Sequence, residues 1–533
     1  MVEVLATNIT SPLGSTSRQN YAAVKEGRSA LGPLTGWKGI PEKITASVFA
    51  GEADFESIAI ASIAEALGHC SVDSTSERTL LVLSTTKGDI ERLSDSYEGL
   101  AAAARRIAAH FGIITSPIIV CNACISGANA QLIAARLIEK GKYDTAIVCG
   151  ADMVSAFTAT GFLSFKALSP EECRPFDIER LGLNLGEASA TMILDRTDKD
   201  AADSGRWVLE AGAQTNDAFH VSAPSPDGNG VYRALASVME GTCGDELDCV
   251  CVHGTATMFN DQMESKAVQK AGLGDTPAIA LKGYFGHTLG AAGLIETIIT
   301  MLALEDGIIL PTRGYNEIGV SGKISISSLP RPARRQGRFV KVLSGFGGCN
   351  CALRYSIART AKPASLVETG LIKTLAQVHL NSYDNISEIY KSRIGNYPKF
   401  YKMDMLTKLA FVASELLMQE VPDAAPLAVI LFNGASTIVQ DRRHVESFAG
   451  VEGFFPSPSV FLYTLPNIAV GEIAIRHGIK GETGLYILQE KDWNLMETII
   501  GASLPKSATA ISGWVDCRTE NDYEADLKLI TTK

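Results

Sequence analysis

The chain has 533 residues, 46% hydrophobic and 20% charged, the balance of a globular protein too long for one ordinary domain. A formal net charge of -11 and a pI near 5.4 argue against the dense basic face that nucleic-acid binding needs. The opening "MVEVLATNIT" lacks a signal-peptide pattern and no apolar run reaches membrane-spanning length, so neither secretion nor membrane insertion is expected. Eleven cysteines scattered over the chain predict reduced thiols and a cytoplasmic location rather than a disulfide framework.

In chain order, "FESIAIASIAEALG" reads as a helix and "TLLVLST" as a buried strand. "SPIIVCNA" is a second strand, "NAQLIAARLIEKG" a second helix, and "DTAIVCGAD" and "ATMILD" two more strands. This alternation predicts an α/β protein whose central sheets are covered on both faces. A second strand-rich block runs from "RWVLEAGAQT" to "ALRYSIA". The polar, small-residue stretch "RTAKPASLVETG" is the best linker candidate. Beyond it, "MDMLTKLAFVASELLMQ" is an amphipathic helix and "PLAVILFNGA" a buried strand. One repeat crosses the linker: "RIAAHFGI" (106–113) resembles "EIAIRHGI" (472–479), and the same order of strand, helix and strand follows each, which favours duplication.

The chemistry centres on "CNACISGANA". Cys124 falls between a strand and a helix, where unpaired N–H groups and the helix dipole lower a thiol pKa and favour the nucleophilic thiolate. Ser126 and Gly127 allow the tight turn, and Cys121 lies back on the strand as a core residue. A buried structural cysteine is the plainer alternative, and on this stretch alone the two readings stand level. A redox CxxC pair belongs in a much smaller unit, and the other close pairs, Cys249/Cys251 and Cys349/Cys351, have poor zinc spacing, so no metal is expected. Among eight histidines, His253 follows the strand-like "DCVCVH" and His287 occupies a glycine-flanked turn that opens a helix. His69, His110, His220, His379, His444 and His477 lack such context and read as structural or surface residues. "LSGFGGCNC" places Gly345, Gly347 and Gly348 around Phe346, a loop whose backbone can approach a ligand closely.

Together these stretches resemble the β-ketoacyl synthase family, the condensing enzymes of fatty-acid and polyketide synthesis, over residues 1 to about 358. "SPLGSTSRQNYAAVKEGRSALGPL" is similar to the family's opening, "CNACISGANA" to its nucleophile turn and "CRPFDIERLGLNLGEASA" to its RPFD…GEG segment. "HGTATMFNDQMESKAV", "LKGYFGHTLGAAGLIE" and "SGFGGCN" are similar, in the same order, to its HGTxTxxxD, K…GHxxGAAG and GFGGTN blocks. The resemblance implies a thiolase-like αβαβα layered fold. It implies Cys124 as the nucleophile that takes an acyl chain from acyl carrier protein, with the Cys124 and Phe346 N–H groups as oxyanion hole. His253 and His287 would bind the malonyl carbonyl and assist decarboxylation, and Lys282 would support their electrostatics. Phe346 would be a gate between Gly345 and Gly347, Thr255 and Thr257 would contact pantetheine, and Asp261 and Glu187 would hold the architecture. No cofactor is implied beyond the 4'-phosphopantetheine carried by the acyl carrier protein.

Three departures stand out. Ala256 replaces a family Gly or Ser, and Cys349 a Thr. The segment from "KGDIERLSDSYEG" to "FGIITSP" is short and lacks the family's "PF…P…N" stretch, which contributes to its dimer interface and acyl pocket. A similar stretch appears after the linker as "FFPSPSVFLYTLPNIAVGEIAIRHGIKGET". The expected organisation is therefore a synthase domain (1–358), a linker (359–375) and a half-thiolase-like α/β domain (376–533). Counted without gaps from Gly112 and Gly478, Cys124 falls opposite Glu490, so the last domain is expected to be non-catalytic. Half a synthase leaves faces that need cover, so it is expected to pack on a synthase domain, its own or a neighbour's, and to replace interface and pocket-wall segments that residues 1–358 lack; the alternative is an independent, tethered domain that recruits a partner chain. A homodimer, or a heterodimer with another synthase-like chain, is the expected assembly. The competing class is a scaffold subunit with a silent site.

Overall fold

The computed structural model describes residues 1–93, 98–196, 205–358, 366, 370–449 and 454–533. The expected linker thus lies outside the described residues except for Leu366 and the stretch from Gly370 onward. Leu366 packs on the core and its N–H donates to Glu139 Oε2 (2.8 Å).

Among the described residues, fifteen strands form one sheet. In chain order they are β1 (Val2–Thr10), β2 (Thr79–Ser84), β3 (Ile118–Val120), β4 (Thr145–Asp152), β5 (Ala188–Arg196), β6 (Trp207–Asn216), β7 (Cys249–Cys251), β8 (Ala278–Ile279), β9 (Arg338–Gly345), β10 (Cys349–Ile357), β11 (Ile372–Asn381), β12 (Ala428–Asn433), β13 (Thr483–Ile487), β14 (Thr509–Thr519) and β15 (Asp522–Thr532). Their spatial order is β8-β7-β9-β10-β6-β1-β5-β4-β2-β3-β13-β12-β14-β15-β11. One five-strand pattern occurs three times: β1-β5-β4-β2-β3, β6-β10-β9-β7-β8 and β11-β15-β14-β12-β13. In each, three neighbouring strands run parallel and two pair antiparallel. The repeat read across the linker is therefore real, and the middle block is a third copy.

The first two copies make the layered arrangement. Helices Ser126–Glu139 and Ala292–Glu305, buried along almost their whole length, pack on each other between them. Gly127 is helical, not a turn residue: a Cβ there would lie 2.7 Å from Gly290 O, so its lack of a side chain lets the two helix starts meet. Helices Phe55–Leu67 and Gly99–His110 cover the outer face of the first copy, and Asn229–Val238 and Met258–Lys270 that of the second. This is an α/β fold with αβαβα layers.

The third copy joins the first edge to edge. β3 pairs antiparallel with β13 through Val120↔Tyr486 and Ile119↔Ile487, so the two copies are related by an approximate two-fold between these strands. Helix Trp493–Ser503 packs on Ser126–Glu139, and a buried ion pair, Arg136 Nη1 to Glu482 Oε2 (2.8 Å), crosses the seam. The edge of β3 is thus occupied from within the chain. Among the described residues the third copy has no partner equivalent to residues 207–358, yet apart from Leu375 its outermost strands present a largely polar face there. Gln377↔Lys528, His379↔Asp526 and Asn381↔Glu524 alternate with Val378, Leu380, Ala525 and Leu527, which are buried under Met405–Glu420. The face expected to need cover is polar at this end.

Candidate active site

The site lies where the first two copies meet. Cys124 follows Ala123, which adopts φ +48°, a left-handed conformation that is strained for a residue with a side chain. The turn expected from Ser126 and Gly127 is thus made three residues before Ser126, at Ala123. Ser126 Oγ ties it by accepting from Asn122 N–H (2.8 Å) and donating to Ala123 O (2.6 Å). Cys121 is fully buried, as expected.

The structure brings Cys124, His253 and His287 together: Sγ and one nitrogen of each ring all lie within 4.8 Å of one another. The rings stand edge to face with centroids 5.2 Å apart. His287 Nδ1 accepts from Leu289 N–H (3.3 Å), so the ring proton belongs on Nε2, which has no partner within the chain. Lys282 Nζ donates to His253 O (2.6 Å) and Glu296 Oε1 (2.6 Å) and lies 3.2 Å from His253 Nδ1. An ammonium has no lone pair to offer, so Nδ1 accepts and Nε2 again carries the proton. Burial, and next the Lys282 charge, hold both imidazoles well below their ordinary pKa. The pair is therefore two neutral N–H donors aimed at one region.

At the thiol two effects oppose each other. Burial pushes Cys124 up to about 12, with Lys282 pulling back down. Desolvation of the thiolate acts against the stabilisation expected at the helix start.

The surrounding shell was only partly legible. Glu264 accepts N–H bonds from His253 (2.5 Å) and Gly254 (2.9 Å), and burial raises its carboxyl to about 7. Glu296 bridges Lys282 and Lys341 (2.5 Å). A lone acid within "GAAGLIET" was the available signal for Glu296, and the three-residue spacing from Asp261 was the signal for Glu264. Asp261 accepts from Phe176 N–H (2.7 Å) and Ala256 N–H (3.1 Å), and Glu187 from Phe49 N–H (2.9 Å). Ala256, the residue in place of a family Gly or Ser, has φ +61°.

The loop Gly345–Gly348 lies against the nucleophile: a Cβ on Gly345 would come 3.3 Å from Cys124 N. Cys349 Sγ donates to Phe346 O (3.3 Å). The same carbonyl accepts from Asn467 Nδ2 (2.7 Å), the asparagine that ends the "FFPSPSVFLYTLPN" stretch of the third copy. A Cβ on Gly347 would lie 2.6 Å from Asn467 Nδ2, and one on Gly471 would lie 2.8 Å from Gly347 O. The Phe346 ring packs with Phe162 and Phe165, and Phe461 of the third copy packs on both of these.

A cavity of about 420 Å³ opens onto Cys124 and both histidines, with Thr255, Thr257, Gly345 and Phe346 in its wall. The two threonine hydroxyls lie 2.9 Å apart. His220, read from sequence as structural or surface, also lines this cavity. In the third copy, the turn matching Cys124 holds Glu490, Lys491 and Asp492. Among the described residues no helix is long and apolar enough to cross a membrane.

Comparison with known proteins agrees with this geometry. The family profile described as "Beta-ketoacyl synthase, N-terminal domain" matches residues 62–200, and "Beta-ketoacyl synthase, C-terminal domain" matches 207–316. The 3-oxoacyl-[acyl-carrier-protein] synthase 2 of Rhizobium meliloti (strain 1021) is 34% identical over 252 residues, covering 44% of this chain and 59% of that protein. The tetracenomycin polyketide synthase ketoacyl synthase alpha subunit of Streptomyces glaucescens is 32% identical, covering 49% of this chain and 65% of its own length. The chain thus spans about 59% of the length of such curated relatives. Among solved structures, a ketosynthase in complex with its chain length factor from Xenorhabdus doucetiae superposes with a TM-score of 0.58 at 25% identity, over 67% of this chain and 98% of that one. The PfaC keto synthase–chain length factor superposes with a TM-score of 0.81 over 99% of this chain and 78% of that one, at 14% identity, a likeness of fold alone. Two matched halves in order, the fold and the clustered Cys124, His253 and His287 lead to one assignment: residues 62–316 of the chain belong to the β-ketoacyl synthase family.

Proposed function

We propose that the chain is a condensing acyltransferase that joins an acyl group held on Cys124 to a malonyl unit, both delivered as carrier-protein thioesters. The observation that carries this reading is the cluster of one thiol and two neutral imidazoles, each presenting Nε2–H beside the nucleophile. In the first half-reaction Cys124 Sγ attacks the acyl thioester carbonyl, the carrier thiol leaves with the proton, and the oxyanion is held by the Cys124 and Phe346 N–H groups. In the second, malonyl thioester loses CO₂, and its carbonyl oxygen gathers the charge of the enolate between His253 and His287. Donors aimed where charge develops, in a buried site, are worth more than the same donors in water. The enolate carbon then attacks the acyl-Cys carbonyl and the Cys124 thiolate departs. Lys282, fixed by Glu296, keeps the imidazoles neutral. Thr255 and Thr257 sit on the approach path of the pantetheine arm, which is the only cofactor the scheme uses.

The third copy is silent in this reading and completes the site rather than duplicating it. It takes the edge of β3 that a second synthase-like chain would otherwise fill, an arrangement supported by the likeness to a ketosynthase–chain length factor fold over nearly the whole chain. Strand β11 begins at Ile372, so in this reading the third copy starts a few residues before the limit of 376 expected from sequence. Transfer of a radiolabelled acyl group from a thioester tests the proposal. Label on Cys124, lost in Cys124→Ala, is expected; a chain that takes no label from any acyl thioester is a scaffold.

A further inference from the structure

The two ends of the sheet are finished differently. At one end β8 is closed off: Ala278 N–H donates to Ser325 O (2.9 Å), and Ala278 O accepts from Arg331 Nη2 (3.1 Å). At the other end β11 pairs with β15, and among the described residues no strand lies on its far side. The edge of β3 is filled from within the chain, which leaves β11 as the open edge.

The ladder shows which backbone groups of β11 face outward. Leu371 and Lys533 exchange both N–H bonds where it begins (3.2 and 3.0 Å), and where it ends Asn381 N–H turns away to Asp384 Oδ2 (2.9 Å). Opposed residues of antiparallel strands alternate between bonded and non-bonded pairs. The register from Lys533 back along β15 therefore turns Ala376, Val378 and Leu380 towards β15. It leaves the N–H and C=O of Gln377 and His379 pointing off the sheet, and both of these side chains are exposed. An edge of this kind invites another strand unless something blunts it. One extra residue, Leu375, makes a bulge in β11, but β1 has neighbours on both sides and carries a bulge at the corresponding place, between Val4 and Ala6. The bulge is thus a feature of the repeat and does not close the edge. Lys373 stands before it, outside the regular stretch. Three large apolar side chains that the chain exposes, Leu371 (83%), Leu375 (42%) and Tyr383 (99%), lie along this strand or just past its end.

We infer that β11 is a self-association edge, to which a second copy of this chain adds its own β11, antiparallel, about a two-fold axis at Val378. In this register Gln377 lies opposite the second copy's His379, and His379 opposite the second copy's Gln377. Each outward N–H of the regular stretch then finds an outward carbonyl. Ala376, Val378 and Leu380 meet the second copy's Leu380, Val378 and Ala376 on the face that Met405–Glu420 covers, so the apolar surface continues across the seam. No like charges stand opposite each other. Lys373 comes beside the second copy's Tyr383, an exposed ring that attracts an ammonium. Because the same strand is used by both copies, the contact closes at two chains. The silent copy thereby takes a further part: it fills the edge of β3 inside the chain and offers β11 outside it.

The test is the mass of the chain by light scattering over a series of concentrations, with backbone hydrogen exchange of residues 376–380 measured on the same samples. Wild type should approach twice the single-chain 56.7 kDa as concentration rises, and the amides of Gln377 and His379 should gain protection in parallel. Gln377→Lys/His379→Lys sets cations against each other across the axis at two exposed positions, and should raise the dissociation constant at least roughly tenfold. The exchange measurement on wild type keeps the test open if that variant does not fold. A chain that stays at 56.7 kDa at every concentration overturns the inference. So does a dimer whose 376–380 amides exchange freely, which places the contact elsewhere. Protection of these amides that does not change on dilution also overturns it, since the edge is then covered from within one chain.

Discussion

Arg136→Met is the sharpest probe of whether the third copy is structurally part of the synthase. Arg136 lies on the central helix and Glu482 just before β13, with side chains 9% and 8% exposed and a 2.8 Å contact between them. Glu482 Oε1 has no other partner, so the substitution leaves a nearly buried carboxylate alone. Breaking a buried pair from one side costs about 3–5 kcal/mol. The seam borders an open groove lined by both residues, so some water reaches it, and the lower end, about 3 kcal/mol, is expected. Arg136→Met/Glu482→Gln removes both charges and should recover most of this loss, since a pair replaced by neutral groups is often close to neutral in stability. Urea unfolding followed by tryptophan fluorescence is suitable, because Trp37 and Trp207 report on the first two copies and Trp493 and Trp514 on the third. A single transition that moves to lower urea in Arg136→Met and returns in the double variant is the expected result. A loss below about 0.5 kcal/mol, within the range of ordinary surface substitutions, would refute the reasoning and mean that the seam is loose and hydrated.

Cys124→Ala should abolish acyl-enzyme formation while Cys121→Ala keeps most of it, measured by label incorporation, since Cys121 is a core residue on the strand side of the turn. His253→Ala or His287→Ala should slow CO₂ release from malonyl thioester by roughly 10²- to 10³-fold, with acylation of Cys124 less affected. The pH dependence of Cys124 alkylation by iodoacetamide decides between burial and the helix start. A thiol raised to about 12 gives a rate that climbs about tenfold per pH unit from 7 to 10 without levelling. A plateau at or below pH 8.5 would show that the helix-start field wins.

Much of the site was readable because its chemistry is carried by short motifs at strand ends and helix starts. "CNACISG", "HGTAT" and "GYFGHTLG" announce Cys124, His253 and His287 wherever the chain folds. The expected strands "TLLVLST", "DTAIVCGAD" and "PLAVILFNGA" became β2, β4 and β12, since long apolar runs between turn signals leave few alternatives. Other features depend on proximity that local pattern does not encode. Gly127 looked like a turn residue but answers to Gly290 across a helix pair. His220 looked peripheral but lines the cavity. The stretch holding Phe461 and Asn467 was marked by its likeness to the family's PF…P…N segment, but its place at this site rests on a two-fold relation that emerges only when β3 meets β13. The middle copy of the repeat was hidden because five-strand topology survives where sequence similarity does not. For the thiol, helix-start reasoning counts the dipole and omits the cost of drying the site, and the two pull in opposite directions.

The central claim is tested most directly by supplying an acyl thioester and malonyl thioester together and weighing the product. The account predicts a β-ketoacyl thioester two carbons longer than the acyl donor, with one CO₂ released per product, absent in Cys124→Ala. Release of CO₂ without the longer product, or label that never leaves Cys124 when malonyl thioester is added, would contradict it.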